Sequence, residues 1–136
     1  MKFSEVEDAL EFVSFGGYGE NTAFLDKKTG KFYFQSAYGD SEEVPDGVIG
    51  AEETVSVPHK RDFNLGSRLV FRFVGQHMSD DYDRVETIFS RRSAYAYFKD
   101  LLAEREMLDA WYAYEKAATE KTIREWCADE GIELED

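Results

Sequence analysis

Apolar residues recur three or four apart from Val6 to Val13 and again beyond Asn64, but alternate or cluster in short runs between Thr22 and Val57. The first spacing places side chains on one face of a helix, the second on one face of a strand. Ser4-Glu5-Val6-Glu7 has the form of a capping box, in which Ser4 satisfies an orphan amide and Glu7 reaches back. Val6, Ala9, Leu10 and Val13 then predict a first helix, ending near Gly16-Gly17 because glycine tolerates the left-handed turn that stops helices. Two short strands follow, Thr22–Asp26 and Lys31–Ser36. Between them Lys27-Lys28-Thr29-Gly30 predicts a hairpin loop with Gly30 at the positive-φ position. Tyr38 to Glu53 is acidic, contains glycine and is broken by Pro45, so it reads as loop. Thr54–Val57 alternates and stops at Pro58, which predicts a third strand beside the hairpin.

Beyond Asn64 there is no proline, and helices take over. Leu65, Leu69 and Phe73 share one face, although Leu69–Phe73 also has the look of a strand; length favours the helix. Ser79 or Asp80 is placed to cap a short helix carrying Tyr82, Val85, Ile88 and Phe89. Ser90 or Ser93 is placed to cap the next, whose face is Ala94, Tyr95, Phe98, Leu101 and Leu102. A long helix from Leu108 to Glu130 carries Trp111, Tyr112, Ala118, Ile123 and Trp126 and stops at Gly131. Strands segregated from helices define an α+β fold: an N-terminal helix, a small antiparallel sheet of about three strands, then about four helices packed together. No repeat or long linker divides the chain, so residues 1–136 are read as a single domain.

Charge narrows the list of partners. Lys and Arg number 16 against 29 Asp and Glu, a net −13 that repels phosphate backbones and anionic lipid heads. Nonspecific nucleic-acid or membrane binding is therefore not expected, although Arg91-Arg92 offers a local basic pair. A hydrophobic fraction of 43 % is enough to fold despite that charge. One cysteine, Cys127, makes no internal disulfide, and the N-terminal MKFSEVEDALEF carries acids where a signal peptide is apolar. Both suit a cytoplasmic protein.

Three blocks in the second half carry a likeness: Ala94-Tyr95-Ala96-Tyr97-Phe98-Lys99-Asp100, Leu108-Asp109-Ala110-Trp111-Tyr112-Ala113-Tyr114, and Arg124-Glu125-Trp126. With Phe24-Leu25-Asp26, Thr29-Gly30 and Val57-Pro58 in order before them, the chain resembles the UPF0158 family of uncharacterised bacterial proteins. It departs from that pattern at Ser93, Glu115 and Cys127, where the family has glycine, arginine and leucine. The resemblance supports the fold and implies no established activity, cofactor or substrate.

Candidate chemistry is sparse. His59 and His77 are the only imidazoles, with Asp62 near one and Asp80-Asp81 near the other. A His–Asp pair still needs a nucleophile and an oxyanion site, and no Gly-x-Ser-x-Gly elbow is present. The clusters Asp80, Asp81, Asp83 and Glu42, Glu43, Asp46, Glu52, Glu53 lack the alternation of a calcium loop. One cysteine and two distant histidines do not make a usual zinc site. Phe15-Gly16-Gly17-Tyr18-Gly19 follows a helix and precedes a strand, the reverse of a phosphate loop. The rings Tyr95, Phe98, Trp111, Tyr112, Tyr114 and Trp126 lie at helical spacing and read as core. Glu115 falls near the middle of the apolar face of its helix, with Arg91 and Arg105 on the inward face of the preceding helix. An ion pair at the helix seam is expected there; the alternative is an acid working in a cleft. No catalytic, metal or cofactor residue is assigned. The reading is a non-enzymatic protein-interaction or regulatory module whose partner is another protein. The alternatives are an enzyme built from scattered carboxylates and a histidine, or an acidic mimic of nucleic acid.

Overall fold

The computed structural model describes residues 1–36, 47–48 and 50–135. Most of the expected loop from Tyr38 lies outside the described residues. Helix α1 spans Phe3–Ser14 and is followed by strands β1 (Asn21–Asp26), β2 (Lys31–Ser36) and β3 (Thr54–Ser56). Helices α2 (Ser67–His77), α3 (Tyr82–Phe89), α4 (Ala94–Glu104) and α5 (Leu108–Asp129) complete the order, with one 3-10 turn at Ser79–Asp81. This is the α+β arrangement expected: a helix, a three-stranded antiparallel sheet, then a bundle of helices.

By their internal contacts, residues form two compact units, Met1–Phe63 with Thr122–Asp136, and Asn64–Lys121. The first holds seven Lys and Arg against nineteen Asp and Glu, and the second nine against ten. Formal charges of −12 and −1 result, so nearly the whole −13 of the chain belongs to the first unit.

In the first unit the sheet order is β2-β1-β3, both pairings antiparallel. Asp26 opposes Lys31 across the hairpin, and the Gly30 N–H bonds the Asp26 carbonyl at 2.8 Å. Gly30 has φ +76°, as the loop spacing predicts. Ala23 and Val57 pack with Ala9 and Val13 of α1, and Phe12, Phe32, Phe34 and Trp126 close over them. Phe12 meets Phe34 edge-on at 5.0 Å, the geometry that aligns a ring's positive edge with its neighbour's negative face.

At the start of α1 the cap differs from the sequence expectation, and at its end lies a contact the sequence did not announce. Ser4 lies inside the helix; Lys2 is the N-cap, and the Glu5 carboxylate accepts from the Lys2 N–H at 3.3 Å. The reciprocal bond is thus made by Glu5 rather than Glu7, because the helix starts before Ser4. At the other end the buried Asn21 amide donates to the carbonyls of Phe12 and Phe15 at 3.1 and 3.2 Å. The Phe12 carbonyl also accepts from the Phe15 N–H at 3.3 Å, so the amide reinforces the end of the helix and ties down the residue after it.

The second unit is organised around rings. Trp111 is 2 % exposed and takes Phe73 and Phe98 edge-on, both at 5.3 Å. Phe89 continues the chain of contacts to Phe98 and Tyr95. The segment around Leu69 is helical, with Leu69, Val70, Phe73 and Val74 buried. Neither Ser79 nor Asp80 caps α3; Asp81 holds the cap position without a side-chain capping bond. Ser93 precedes α4 at φ +59° and likewise makes no capping bond. The aromatic stripe is only partly core: Phe98 and Trp111 are buried, Tyr114 and Trp126 half-buried, and Tyr95 and Tyr112 exposed. Tyr95 is exposed along part of its ring while its hydroxyl end is desolvated.

Candidate functional site

Helices α3 and α4 of the second unit leave a groove of about 610 Å³ between them. Val85 of α3 and Phe98, Leu101 and Leu102 of α4 are buried. The α3 wall carries Arg84, Thr87 and Ile88, continued by Arg91 and Arg92 in the connecting turn. Tyr97, Asp100, Leu101 and Glu104 form the α4 wall. Arg91 and Arg92 follow the C-terminus of α3, where unpaired carbonyls favour positive charge.

The charges in this groove are unevenly matched. Arg84 Nη2 lies 3.2 Å from Glu104 Oε2, and Glu104 Oε1 also lies 3.7 Å from Arg105 Nη1. The guanidinium groups of Arg91 and Arg92 have no ion-pair partner among the described residues. Tyr97 is 57 % exposed beside them.

Arg105 is not paired with Glu115. Its Nε and Nη2 donate to Asp81 Oδ2 and Oδ1, both at 3.1 Å. This fork holds the Asp81 carboxyl below the usual carboxylate range and raises Arg105 in turn. Among the described residues no ion pair joins Glu115 to Arg91 or Arg105. Glu115 instead acts on Tyr95, whose hydroxyl is raised first by burial and second by that negative charge.

The two histidines occupy different surroundings. His77 is exposed at the end of α2, its ring 5.0 Å from Phe73 and 6.0 Å from Tyr114. It lines a hollow of about 440 Å³ with Met78, Asp81, Arg105 and Met107. Asp81 there is already committed to Arg105, and among the described residues no hydrogen bond joins His77 to Asp80 or Asp81.

In the first unit, His59 Nδ1 accepts from the Arg61 backbone N–H at 2.9 Å, and the His59 backbone N–H donates to Asp62 Oδ2 at 3.1 Å. Asp62 Oδ1 accepts from the Tyr18 hydroxyl at 2.7 Å. That bond, more than any other influence, raises the Tyr18 phenol above its ordinary value. Arg61 lies over the Tyr18 ring at 4.9 Å. Asp62 therefore ties down a turn rather than orienting an imidazole for proton transfer.

Cys127 is buried, and burial pushes its thiol up, away from the reactive thiolate. Among the described residues, no group of three or more His, Cys, Asp or Glu is placed to hold a metal ion. Glu42, Glu43 and Asp46 of the second acidic cluster lie outside the described residues. No described helix is long and apolar enough to cross a membrane.

The sequence singled out Arg91 but placed it on a helix seam; it lies in a turn that lines a groove. Tyr97 and Arg84 were not singled out. The adjacent Arg91-Arg92 pair in so acidic a chain was the available signal, and the pairing of Arg84 with Glu104 needed the fold. No family model, curated protein or solved structure matches the chain.

Proposed function

We propose that the chain is a non-enzymatic protein-interaction module of the cytoplasm and that it binds its partner through the α3–α4 groove. The observation that carries this reading is the exposed Tyr97 beside two unpaired guanidiniums over the apolar Ile88 and Leu101. Tyrosine and arginine are the residues from which interface hot spots are built, because each combines a large contact area with directional hydrogen bonds. Neither histidine is arranged with a carboxylate as base and orienter, which lowers the case for an enzyme. We also propose kinship with the UPF0158 family. Phe98 and Trp111, which help carry that likeness, are buried, so the kinship speaks to the fold and assigns no chemistry.

The test is site-specific photo-crosslinking in the source cell, with benzoylphenylalanine replacing Tyr97 and, as a control, exposed Gln76 of α2. A discrete protein adduct is expected at position 97, absent at 76 and lost in an Arg91→Ala/Arg92→Ala background. Absence of an adduct at 97, or equal adducts at both positions, overturns the reading.

A further inference from the structure

We propose that the α3–α4 groove takes an acidic peptide segment of a partner protein, in which carboxylates flank an apolar side chain; this rests on the reading of the chain as a binding module. The floor sets the apolar requirement: Ile88 is half-buried and Leu101 buried, and both line the groove. The rim sets the charge. Arg84 and Glu104 neutralise one another, leaving Arg91 and Arg92 as the groove's unpaired cations. Arginine presents a planar fork that grips a carboxylate through two parallel hydrogen bonds, so two adjacent forks suit two acidic side chains. Asp100 stands on the α4 wall and turns the ligand's carboxylates toward Arg91 and Arg92.

Charge distribution also favours a short acidic segment over nucleic acid. Exposed charges act within a Debye length, about 8–10 Å at ordinary salt. A short peptide seated in the groove is thus governed first by the guanidiniums that line it. A long polyanion carries charge well beyond that reach and is disfavoured by the chain's net −13.

The test is fluorescence anisotropy with a labelled peptide of repeated Glu-Glu-Leu, set against repeated Lys-Lys-Leu, repeated Glu-Glu-Ser and a single-stranded oligonucleotide. The Glu-Glu-Leu peptide is expected to bind saturably and about tenfold more tightly than the Lys or Ser peptide, less tightly as salt rises. Arg91→Ala/Arg92→Ala should weaken it about tenfold at an unchanged melting temperature, whereas Arg72→Ala on α2 leaves it unchanged. Equal binding of the Lys peptide, indifference to the Arg91 and Arg92 substitutions, or tighter binding of the oligonucleotide overturns the proposal. A cross-linked partner at position 97 with no Glu-Glu-Leu binding removes the acidic chemistry alone; no adduct at 97 removes the binding reading itself.

Discussion

Arg105 grips Asp81 with two parallel hydrogen bonds, both 3.1 Å, across twenty-four residues of sequence. Asp81 occupies the cap position of α3, yet its carboxylate is turned to the guanidinium and makes no capping bond. A depressed carboxyl contributes stability that is fully present above its unfolded pKa of about 3.9. That contribution is lost as pH falls through the lower folded value. Asp81→Asn should therefore lower the melting temperature at neutral pH, with the gap to wild type closing below pH ~4. Melts across an acid series check this, and added salt should shrink the neutral-pH difference because the pair lies at the surface.

Glu115 is expected to matter to Tyr95. Its negative charge disfavours the phenolate, adding to what burial does. Glu115→Gln should move the Tyr95 titration part of the way back toward an ordinary phenol, and burial should keep it from returning fully. Ultraviolet or NMR titration of the tyrosines reads this directly. An unmoved Tyr95 would mean the charge does not reach it.

The two tryptophans should differ. Trp111 is enclosed by Phe73 and Phe98, and its replacement by alanine should cost about 3–5 kcal/mol. Trp126 is half-buried beside Phe63, so Trp126→Ala should cost less, about 1–3 kcal/mol. Denaturant melts of both variants decide the order, and equal losses would contradict it.

Backbone conformation gives an opposed pair of substitutions. A Cβ at Gly30 meets only the Met1 Cε at 3.8 Å, so space is adequate and the φ of +76° is the obstacle. Gly30→Val should cost about 1–2 kcal/mol through that strain, whereas Ser93→Gly, relieving φ +59°, should stabilise by up to about 1 kcal/mol. Both are read from melts, and a destabilised Ser93→Gly would show that the serine side chain contributes more than its backbone costs.

Asn21 offers the sharpest contrast between similar side chains. Asn21→Ala removes two donors from the end of α1 and should cost about 1–3 kcal/mol. Asn21→Asp should cost more, since a carboxylate would face two carbonyls it cannot donate to. Stability of the aspartate variant should recover partly at acid pH, when the carboxyl regains a proton.

Periodicity carried the fold: the helix faces, the Gly30 turn and the presence of a third strand all follow from local spacing. What spacing could not supply were choices between partners. Arg105 was expected opposite Glu115 and instead grips Asp81, with Glu104 also at 3.7 Å, and Asn21 serves a helix that ended several residues earlier. The capping assignments at Ser4 and Ser79 failed for a related reason, since where a helix begins depends on what its first turn packs beside. Tyr95 and Tyr112 share the helical spacing of buried rings, and spacing alone does not distinguish a ring at the core's centre from one at its margin.

The first unit is assembled from two stretches separated in sequence: Trp126 closes over its core, Lys27 bonds Glu130, and the Met1 carbonyl accepts from the Glu135 N–H. During synthesis the hairpin and α1 therefore leave the ribosome well before the residues that complete their packing. Phe12, Phe32 and Phe34 wait for Trp126, while the intervening unit, continuous from Asn64 to Lys121, already has its whole sequence at hand. The nascent protein thus holds an unfinished apolar face until Trp126 has emerged. That interval is where a chaperone would engage it, and where a pause before Trp126 would leave it most prone to aggregate.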